Sequence, residues 1–394
     1  MTAQVLLQPK RARPFYGRHP WVYPGAIAAV EGNPADGEVV DLLAHGGQFV
    51  ARGLYNSQSK LRVRLFTWDP NTLLDRAFFR AQLAAAIRLR RDLGLMDPHT
   101  GCRLVNSEGD GLSGCTIDRY GGWLVVQFTS LALAQRRDLF VDLLTELLQP
   151  EGIYLRTERG IGQLEGLELQ DGPLSSSPPT DPIEIDEDGL TFLVHLTEGQ
   201  KTGYYLDQRD NRRAAARLAK GRRVLDAFCY SGGFGLHAAR AGATEVFCVD
   251  QSEPALALAR RNAERNGLTQ LSFVRADVVD HLDSLGSQGE RFGLIVLDPP
   301  KFARDRKGID EALRGYRRLQ SLALRLLEAE GYLVTCCCSG LITPDMLEDL
   351  LAQVAGDARR AVQLLERRGP AVDHPVAVSC PESHYLKCLI ARVR

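Results

Sequence analysis

Strand-like and helix-like segments alternate along residues 221–394, and this alternation constrains the fold more than any other feature of the sequence. The strand-like segments are nearly continuous apolar runs, and amphipathic segments lie between them. Strands of this composition are typically buried on both faces, so we expect a parallel sheet with helices on both sides. In chain order, the five segments are RRVLDAFC, EVFCVD, LSFVRAD, FGLIVLDPP and GYLVTCCC.

Two further apolar segments follow, AVQLLER and HYLKCLIARV, and the loop between them has no room for a crossover helix. Strands that are joined without a crossover run antiparallel. We therefore predict an α/β fold with a Rossmann-like seven-stranded sheet and an antiparallel edge strand. In such sheets a ligand binds beyond the carboxyl ends of the strands, so the residues that end each strand form the candidate site.

The sequence before this sheet divides into two regions. Residues 1–72 contain short apolar runs broken by turn signals, which predict a small β-barrel. Residues 73–180 mix helical and extended patterns and predict an α+β middle domain. The Pro- and Ser-rich stretch at 172–182 is the best linker signal in the chain. A predicted hairpin then opens the third domain, residues 181–394.

The N-terminal region is net basic, and its cations lie among aromatic residues. This combination suits RNA, which is bound through phosphate contacts and base stacking. A solvated rim on a small barrel explains the same pattern equally well. The residues are Lys10, Arg11, Arg13, Phe15, Tyr16, Arg18 and Trp21.

The composition argues against several classes of protein and site. The formal net charge is −1, so the charge of the whole chain does not indicate a nucleic-acid partner. No apolar stretch approaches the roughly 18–20 residues that span a bilayer, and no signal-peptide pattern opens the sequence. We therefore expect a cytoplasmic protein without a membrane partner. The nine cysteines contain no C-x-x-C pair, which favours free thiols and argues against a metal site.

The first three strands of the predicted sheet each end at an aspartate. Asp226 precedes a turn with Gly232 and Gly233, whose G-G-x-G spacing differs from the G-x-G-x-x-G of dinucleotide sites. This carboxylate would repel a pyrophosphate but can accept hydrogen bonds from an ammonium group. Asp250 is placed to accept both hydroxyls of a ribose, and Asp277 is placed to meet an adenine amino group. A cation, a ribose and an adenine together describe S-adenosylmethionine.

The fourth strand ends in LDPPK, which runs from Leu297 to Lys301. The two prolines stop the strand rigidly and hold Asp298 against whatever occupies the pocket. Methyltransferases that act on amino nitrogens use a related motif with an aromatic residue directly after the prolines. Here Lys301 takes that place and Phe302 follows it, which argues weakly against amino-nitrogen chemistry.

The fifth strand ends in three consecutive cysteines. Alternation along a strand places Cys336 and Cys338 on one face and Cys337 on the other. If this strand neighbours the fourth, a thiol lies close to Asp298. A thiolate there suits methylation of pyrimidine carbon 5, because that carbon becomes nucleophilic only after a thiolate adds to carbon 6. The alternative is that the cysteines are ordinary small buried residues, and Cys337 fits that alternative best.

These motifs together resemble the RlmI-like group of 23S ribosomal RNA cytosine-5 methyltransferases. The resemblance spans essentially the whole chain, and its motifs are specific in combination. It is carried by GRHPWVYPGAI, GLYNSQSKLRVR, EGDGLSGCTIDRY, LDQRDNRR, LDAFCYSGGFG, LDPPKFA, CSGL, DHPV and PESHYLK.

The resemblance implies a PUA domain, a small middle domain and a class I methyltransferase domain, in that order. It also implies S-adenosylmethionine as the cofactor and 23S ribosomal RNA, free or in a subunit precursor, as the partner. The resemblance and the strand-end pattern together assign eight residues to the cofactor: Tyr205, Gln208, Asp226, Phe228, Gly232, Gly233, Asp250 and Asp277.

The candidate catalytic residues are Cys338, which the resemblance favours, with Cys336 in reserve, and Asp298, which is placed to hydrogen-bond the ring nitrogen or the exocyclic amine of cytosine. Cys338 aligns with the recurrent cysteine of the family, whereas Cys337 stands where members often carry serine. His374, in DHPV, is a candidate for the base that removes the carbon-5 proton, although a residue that stiffens a turn is the simpler interpretation.

Two other functions stay open at this point. The chain could methylate an amino nitrogen of guanine or adenine in RNA without a covalent nucleophile, or it could be a catalytically silent RNA-binding factor in ribosome assembly. An NAD-dependent oxidoreductase is disfavoured by the missing G-x-G-x-x-G. The sequence does not specify the target nucleotide, the assembly state of the RNA or whether the chain forms a homodimer.

Overall fold

The computed structural model describes residues 2–157, 160–198, 202–303 and 306–394. The chain forms two compact units, each assembled from separate stretches of sequence. Unit 1 consists of Met1–Ile185, Val194–Leu206 and Val372–Ser383. Unit 2 consists of Asp186–Leu193, Asp207–Ala371 and His384–Arg394. The finer division that we place at residues 72 and 180 stays a prediction.

Unit 1 begins with a six-stranded, mostly antiparallel sheet. The elements are β1 (Ala3–Leu7), α1 (Arg13–Tyr16), β2 (Trp21–Val22), β3 (Ile27–Glu31), β4 (Val39–Leu43), β5 (Phe49–Tyr55) and β6 (Val63–Thr67). The strand order is β2-β6-β5-β4-β1-β3. Aliphatic side chains from the strands form the core of this sheet, which confirms the predicted β-rich start of the chain.

The aromatic residues of the basic N-terminal region divide between core and surface. Phe15 is 4% exposed and packs into the core, so it is not available to stack on a base, contrary to the sequence interpretation. Tyr16 is 59% exposed. The guanidinium of Arg18 lies 5.9 Å from the ring centroid of Trp68. The cations Lys10, Arg11, Arg13 and Arg18 are all exposed.

A second sheet of unit 1 carries helices whose apolar faces are buried against it. Its strand order is β11-β10-β9-β8-β7. The elements are α2 (Arg76–Asp92), β7 (Gly101–Asn106), β8 (Cys115–Tyr120), β9 (Trp123–Phe128), α3 (Leu131–Ala134), α4 (Arg137–Leu148), β10 (Gly152–Arg156), α5 (Ile161–Glu165) and β11 (Gly172–Pro173). Helix α2 starts at Asp75, whose carboxylate accepts a hydrogen bond from the Phe78 N–H and so satisfies an otherwise unpaired donor. A short two-stranded ribbon follows, β12 (Ile183–Glu187) and β13 (Leu190–Val194).

Unit 2 contains the predicted seven-stranded sheet. Its elements are α6 (Arg209–Ala216), β14 (Arg223–Ala227), α7 (Gly233–Arg240), β15 (Glu245–Asp250), α8 (Glu253–Arg265), β16 (Leu271–Arg275), α9 (Val278–Ser287), β17 (Phe292–Leu297), α10 (Ile309–Leu326), β18 (Leu327–Cys337), α11 (Pro344–Asp357), β19 (Val362–Arg368) and β20 (Lys387–Val393). The strand order is β16-β15-β14-β17-β18-β20-β19.

Strands β14 to β18 all run parallel to one another, as the apolar runs predict. Strand β20 is antiparallel to both β18 and β19. The reversed strand is therefore second from the edge, and the edge strand β19 runs in the same direction as the parallel strands.

Both faces of this sheet are buried, which explains why its strands are apolar throughout. Val224 and Val296 point into one core, whereas Leu225 and Leu297, one residue further along, point into the core on the other face. Among the described helices, none is both long and apolar enough to cross a membrane.

Gly235 in α7 has no room for a side chain. A Cβ atom there would lie 2.6 Å from the Cys248 Sγ and 3.1 Å from the Asp226 Oδ2. We predict that Gly235→Ala lowers the melting temperature, because repacking an overfilled site costs about 1–3 kcal/mol. Gly356→Ala in α11, where a Cβ meets nothing within 4 Å, is the matched control and should leave the melting temperature unchanged or slightly raised. Equal effects of the two substitutions in thermal unfolding would contradict the packing argument.

Candidate active site

The topology of unit 2 brings three strand ends side by side. Strand β17 lies between β14 and β18, and Leu297 pairs with Ala227 on one side and with Thr335 on the other. Because these strands are parallel, the residues that follow them lie together at the carboxyl end of the sheet. Asp298 and the cysteine triplet are thus neighbours, as the sequence predicts.

The turn after β14 has a strained backbone. Phe228 and Tyr230 have φ of +64° and +48°, and Gly232 has φ of +82°. Left-handed conformations are costly for residues with a side chain and are concentrated at functional sites. The Asn262 Nδ2 donates to the Ser231 carbonyl (3.0 Å) and helps to hold this conformation. Phe228 is half-buried and packs against the core.

Asp226 is a fully buried carboxylate below this turn. Its Oδ2 accepts a hydrogen bond from the Gly235 N–H at 2.7 Å, and its Oδ1 has no hydrogen-bond partner among the described residues. Burial raises the pKa of Asp226 to about 7, the Asp298 charge adds to this shift, and the Gly235 N–H opposes it. An ammonium group at Oδ1 would satisfy this buried acceptor and favour its ionised form, so the residues here fit the amino acid end of S-adenosylmethionine.

The other two aspartates are held by backbone groups. Asp250 accepts hydrogen bonds from the N–H groups of Tyr230 (3.0 Å) and Ser252 (2.9 Å), which fixes its carboxylate next to the strained turn. Asp277 is exposed and caps α9 by accepting a hydrogen bond from the Asp280 N–H at 3.1 Å. Their contacts with a ribose and an adenine stay predictions.

Gln208 lies against Asp298. Its Nε2 donates to the Asp298 Oδ1 at 3.0 Å, and its Oε1 accepts a hydrogen bond from the Asn211 Nδ2 at 2.7 Å. The sequence assigns Gln208 to the cofactor, and that contact stays a prediction. The hydrogen bond between Gln208 and Asp298 was not predicted from the sequence. Tyr205 is half-buried in unit 1, and its cofactor contact also stays a prediction.

The three cysteines occupy three different environments. Cys337 packs in one core and Cys336 in the core on the opposite face of the sheet, as predicted for these two residues. Strand β18 ends at Cys337, so Cys338 lies in the loop beyond it and not on the strand face of Cys336. The Cys338 Sγ is half-buried and lies 4.0 Å from the Pro299 carbonyl oxygen.

The Cys336 thiol is poorly suited to attack a base. It is fully buried, and it faces Cys388 on the neighbouring strand. The hydrogen bond between these two thiols and the burial raise the pKa of Cys336 well above its usual range. Of the nine cysteines, Cys338 alone is not buried.

Lys387 is a buried cation that the sequence analysis missed. Its side chain is 2% exposed, and its Nζ donates to the carbonyl oxygens of Ser339 (2.6 Å) and Tyr385 (2.9 Å). Burial lowers the pKa of Lys387, and the nearby thiols of Cys337 and Cys338 oppose that shift. A lone lysine inside the apolar strand segment HYLKCLIARV was the available signal.

His374 lies in unit 1, where its Nδ1 is 2.9 Å from the Asp373 Oδ1. Both side chains are buried, and the Asp373 Oδ2 accepts a hydrogen bond from the Arg103 N–H. This arrangement supports the simpler interpretation, in which His374 stiffens the loop. Its action as a base stays a prediction.

One group of side chains in the described part of unit 1 has the spacing of metal ligands: His19, Cys380 and Glu382. The Trp21 N–H donates to the His19 Nδ1, so the proton of the neutral ring is on Nε2, which lies 3.3 Å from the Glu382 Oε2. Burial raises the pKa of the Cys380 thiol to about 12. A hydrogen-bonded cluster therefore explains this group better than a metal site does.

The chain is similar to known methyltransferases over its whole length. Residues 5–68 match the family model of a PUA-like domain, and residues 172–380 match that of an S-adenosylmethionine-dependent methyltransferase. The chain is 42% identical over 397 residues to the ribosomal RNA large subunit methyltransferase I of Aeromonas hydrophila, with 100% of both chains covered. It is 40% identical to the enzyme of the same name from Escherichia coli, again over 100% of both chains.

The chain belongs to the ribosomal RNA large subunit methyltransferase I family. Solved structures with 22% identity show the same fold over 100% of both chains: a candidate methyltransferase complexed with SAH (TM-score 0.87) and a candidate S-adenosylmethionine-dependent methyltransferase from Streptococcus mutans (TM-score 0.86). Membership of this methyltransferase I family confirms the predicted fold and the predicted cofactor, S-adenosylmethionine.

The raised pKa of Asp226 predicts a pH-dependent affinity for the cofactor. An ammonium group binds the carboxylate and not the protonated acid, so a proton competes with S-adenosylmethionine below pH 7. Between pH 7 and 5.5, where the cofactor amine stays protonated, calorimetry should show the affinity falling by about fivefold from pH 7 to 6, with a slope that approaches tenfold per pH unit below that. Asp226→Asn should bind more weakly at pH 7 and lose this dependence. Equal wild-type affinities at pH 5.5 and 7 would rule out the pairing.

We expect thiol reagents to react first at Cys338, since the other cysteines are buried. The Lys387 ammonium should favour the thiolate form of Cys338, so Lys387→Met should slow alkylation by iodoacetamide several-fold at pH 7.5. Mass spectrometry of the labelled peptides measures the rate, and the melting temperature controls for folding. An unchanged alkylation rate in a folded variant would exclude this electrostatic effect.

Proposed function

We propose that this protein methylates carbon 5 of a cytosine in large-subunit ribosomal RNA, and that Cys338 forms a transient covalent bond to carbon 6 of that base. The ribosomal RNA substrate is supported by the names of the relatives and by the PUA-like domain. The cytosine-5 chemistry rests on one observation: the half-buried Cys338 thiol lies 4.0 Å from the carbonyl oxygen of Pro299, the residue that follows Asp298 in the chain.

The reaction requires a nucleophile because carbon 5 of cytosine is not reactive alone. Addition of the Cys338 thiolate to carbon 6 converts the ring to an enamine-like species with electron density at carbon 5. Bound S-adenosylmethionine supplies an electrophilic methyl group for that carbon. A base then removes the carbon-5 proton, the ring double bond re-forms, and the bond between Cys338 and carbon 6 breaks to return the thiolate.

Each of the site residues has a separate task in this proposal. Asp298 accepts a hydrogen bond from the exocyclic amine of cytosine and orients the base so that carbon 6 faces Cys338. Gln208 fixes the Asp298 carboxylate through Oδ1. Lys387 holds the loop after Cys338 through the Ser339 carbonyl and favours the thiolate. The Asp226 carboxylate binds the ammonium group of the cofactor.

The geometry favours Cys338 over Cys336 as the nucleophile. Cys336 is 0% exposed and hydrogen-bonded to Cys388, so a base could reach it only if the sheet opened. Cys338 is in the loop that follows strand β18 and is only half-buried. Cys336 is thus the matched control for Cys338: the same residue type, two positions away.

RNA that contains 5-fluorocytidine should trap the covalent bond, because fluorine cannot leave carbon 5 as a cation and the last step is blocked. We predict that wild-type protein and Cys336→Ala form a complex that survives denaturing electrophoresis. Cys338→Ala should form none and should lose at least about 1,000-fold in methyl transfer, since the nucleophile is essential to the route. It should still bind S-adenosylmethionine.

Full methyl transfer by Cys338→Ala would refute covalent catalysis at this residue. The methylated nucleoside, identified by mass spectrometry, decides the chemistry: we expect 5-methylcytidine, whereas a methyl group on an amino nitrogen of guanine or adenine would support the other enzyme class. The same measurement on ribosomal RNA from cells with and without the gene identifies the nucleotide.

A further inference from the structure

We propose that Asn211 and Arg368 are positioning residues for methyl transfer, because together they dictate which atom of Gln208 faces Asp298. This inference rests on the proposed catalytic role of Asp298. Three side-chain hydrogen bonds connect the four residues in a row, which we term the relay: Arg368, Asn211, Gln208 and Asp298.

The relay starts at the end of the edge strand β19. The Arg368 Nε donates to the Asn211 Oδ1 at 2.9 Å. The Asn211 Nδ2 donates to the Gln208 Oε1 at 2.7 Å, and the Gln208 Nε2 donates to the Asp298 Oδ1 at 3.0 Å. All four residues belong to unit 2. The edge of the sheet is therefore connected to the carboxylate at the proposed reaction centre.

The direction of these bonds is fixed by the two ends of the relay. A guanidinium can only donate hydrogen bonds, and an ionised carboxylate can only accept them. Each amide in between has one accepting and one donating end, so only one orientation of each satisfies all three bonds. The Gly369 carbonyl also accepts from the Asn211 Nδ2 at 3.1 Å, which independently requires the same orientation of Asn211.

Burial makes this orientation rigid. Gln208 and Asn211 are 2% and 1% exposed, so water does not compete for their amide groups. Arg368 is anchored by two further bonds, from its Nη2 to the Asp210 carbonyl at 3.2 Å and from its Nη1 to the Glu366 carboxylate. Reversing one buried amide would leave buried polar groups without hydrogen-bond partners and is therefore unfavourable.

The chemical consequence concerns the charge state of Asp298. An N–H group at Oδ1 stabilises the ionised carboxylate, whereas an oxygen there would favour the protonated acid. Other groups near this carboxylate work in the opposite direction: the Asp226 carboxylate on β14 and the Cys336 thiol on β18 both interact unfavourably with the Asp298 charge. The relay therefore supplies the Gln208 N–H that keeps Asp298 an acceptor for the base.

Asn211→Asp tests this directly. The change is isosteric, but it places an oxygen where Nδ2 donates to the Gln208 Oε1, so the Gln208 amide turns and presents its oxygen to Asp298. With S-adenosylmethionine saturating, so that the titration of Asp226 does not contribute, we expect the acid limb of kcat/KM for the RNA to move up by about one pH unit, with full activity at higher pH. The affinity for S-adenosylmethionine at pH 7.5 and the folded state in thermal unfolding should be retained.

Arg368→Gln is the matched control for charge. This substitution changes the net charge by the same one unit. The glutamine Nε2 is separated from Cα by the same number of bonds as the arginine Nε, so a hydrogen-bond donor to the Asn211 Oδ1 is kept. We expect a clearly smaller shift of the acid limb in this variant than in Asn211→Asp. Equal shifts of the acid limb in the two variants would mean that the added negative charge alone causes the shift, and would contradict the proposed role of the relay.

Asp298→Asn separates this inference from the proposed function. If that variant loses activity while folded Asn211→Asp keeps the wild-type pH profile, the relay is wrong and the role of Asp298 stands. If Asp298→Asn retains full activity at every pH, the proposed role of Asp298 is wrong and the relay has no catalytic consequence. Loss of activity in Asp298→Asn together with a shifted limb in Asn211→Asp supports both.

Discussion

Parallel pairing of β17 with β14 and β18 is the constraint on which the proposed chemistry depends. It aligns the carboxyl ends of three apolar strands, so that residues far apart in sequence lie side by side at that end of the sheet. The prolines after Asp298 stop β17, and Cys338 follows the end of β18. Asp298 and Cys338 therefore follow the ends of two neighbouring strands that run in the same direction.

Burying the polar groups at the carboxyl end of the sheet costs free energy, and their arrangement follows from that cost. Asp226 has one oxygen without a hydrogen-bond partner in the described part of the chain and a pKa raised to about 7, which suits a carboxylate that binds a cation. Asp298 accepts a hydrogen bond from the Gln208 amide, which is held in turn by Asn211 and Arg368. Lys387 is buried, but its Nζ donates to two carbonyl oxygens.

Much of unit 2 was predictable because its signals are local: the apolar runs define the strands, and Asp226, Asp250 and Asp298 lie at or just after strand ends. Other features depend on long-range contacts that sequence periodicity does not encode. Phe15 was placed among RNA-stacking residues but packs into the core. The link from Arg368 to Asp298 joins side chains from three separate segments, and the loop position of Cys338 depends on β18 ending one residue earlier than its composition suggests.

The central claim is that the sulfur of Cys338 bonds to carbon 6 of the target cytosine. The most direct test is tandem mass spectrometry of the wild-type protein after trapping on 5-fluorocytidine RNA, nuclease digestion and proteolysis. We predict a nucleotide attached to Cys338, with Cys336 and Cys337 of the same peptide unmodified. Attachment at Cys336, or complete methyl transfer without any trapped peptide, would contradict the proposed mechanism.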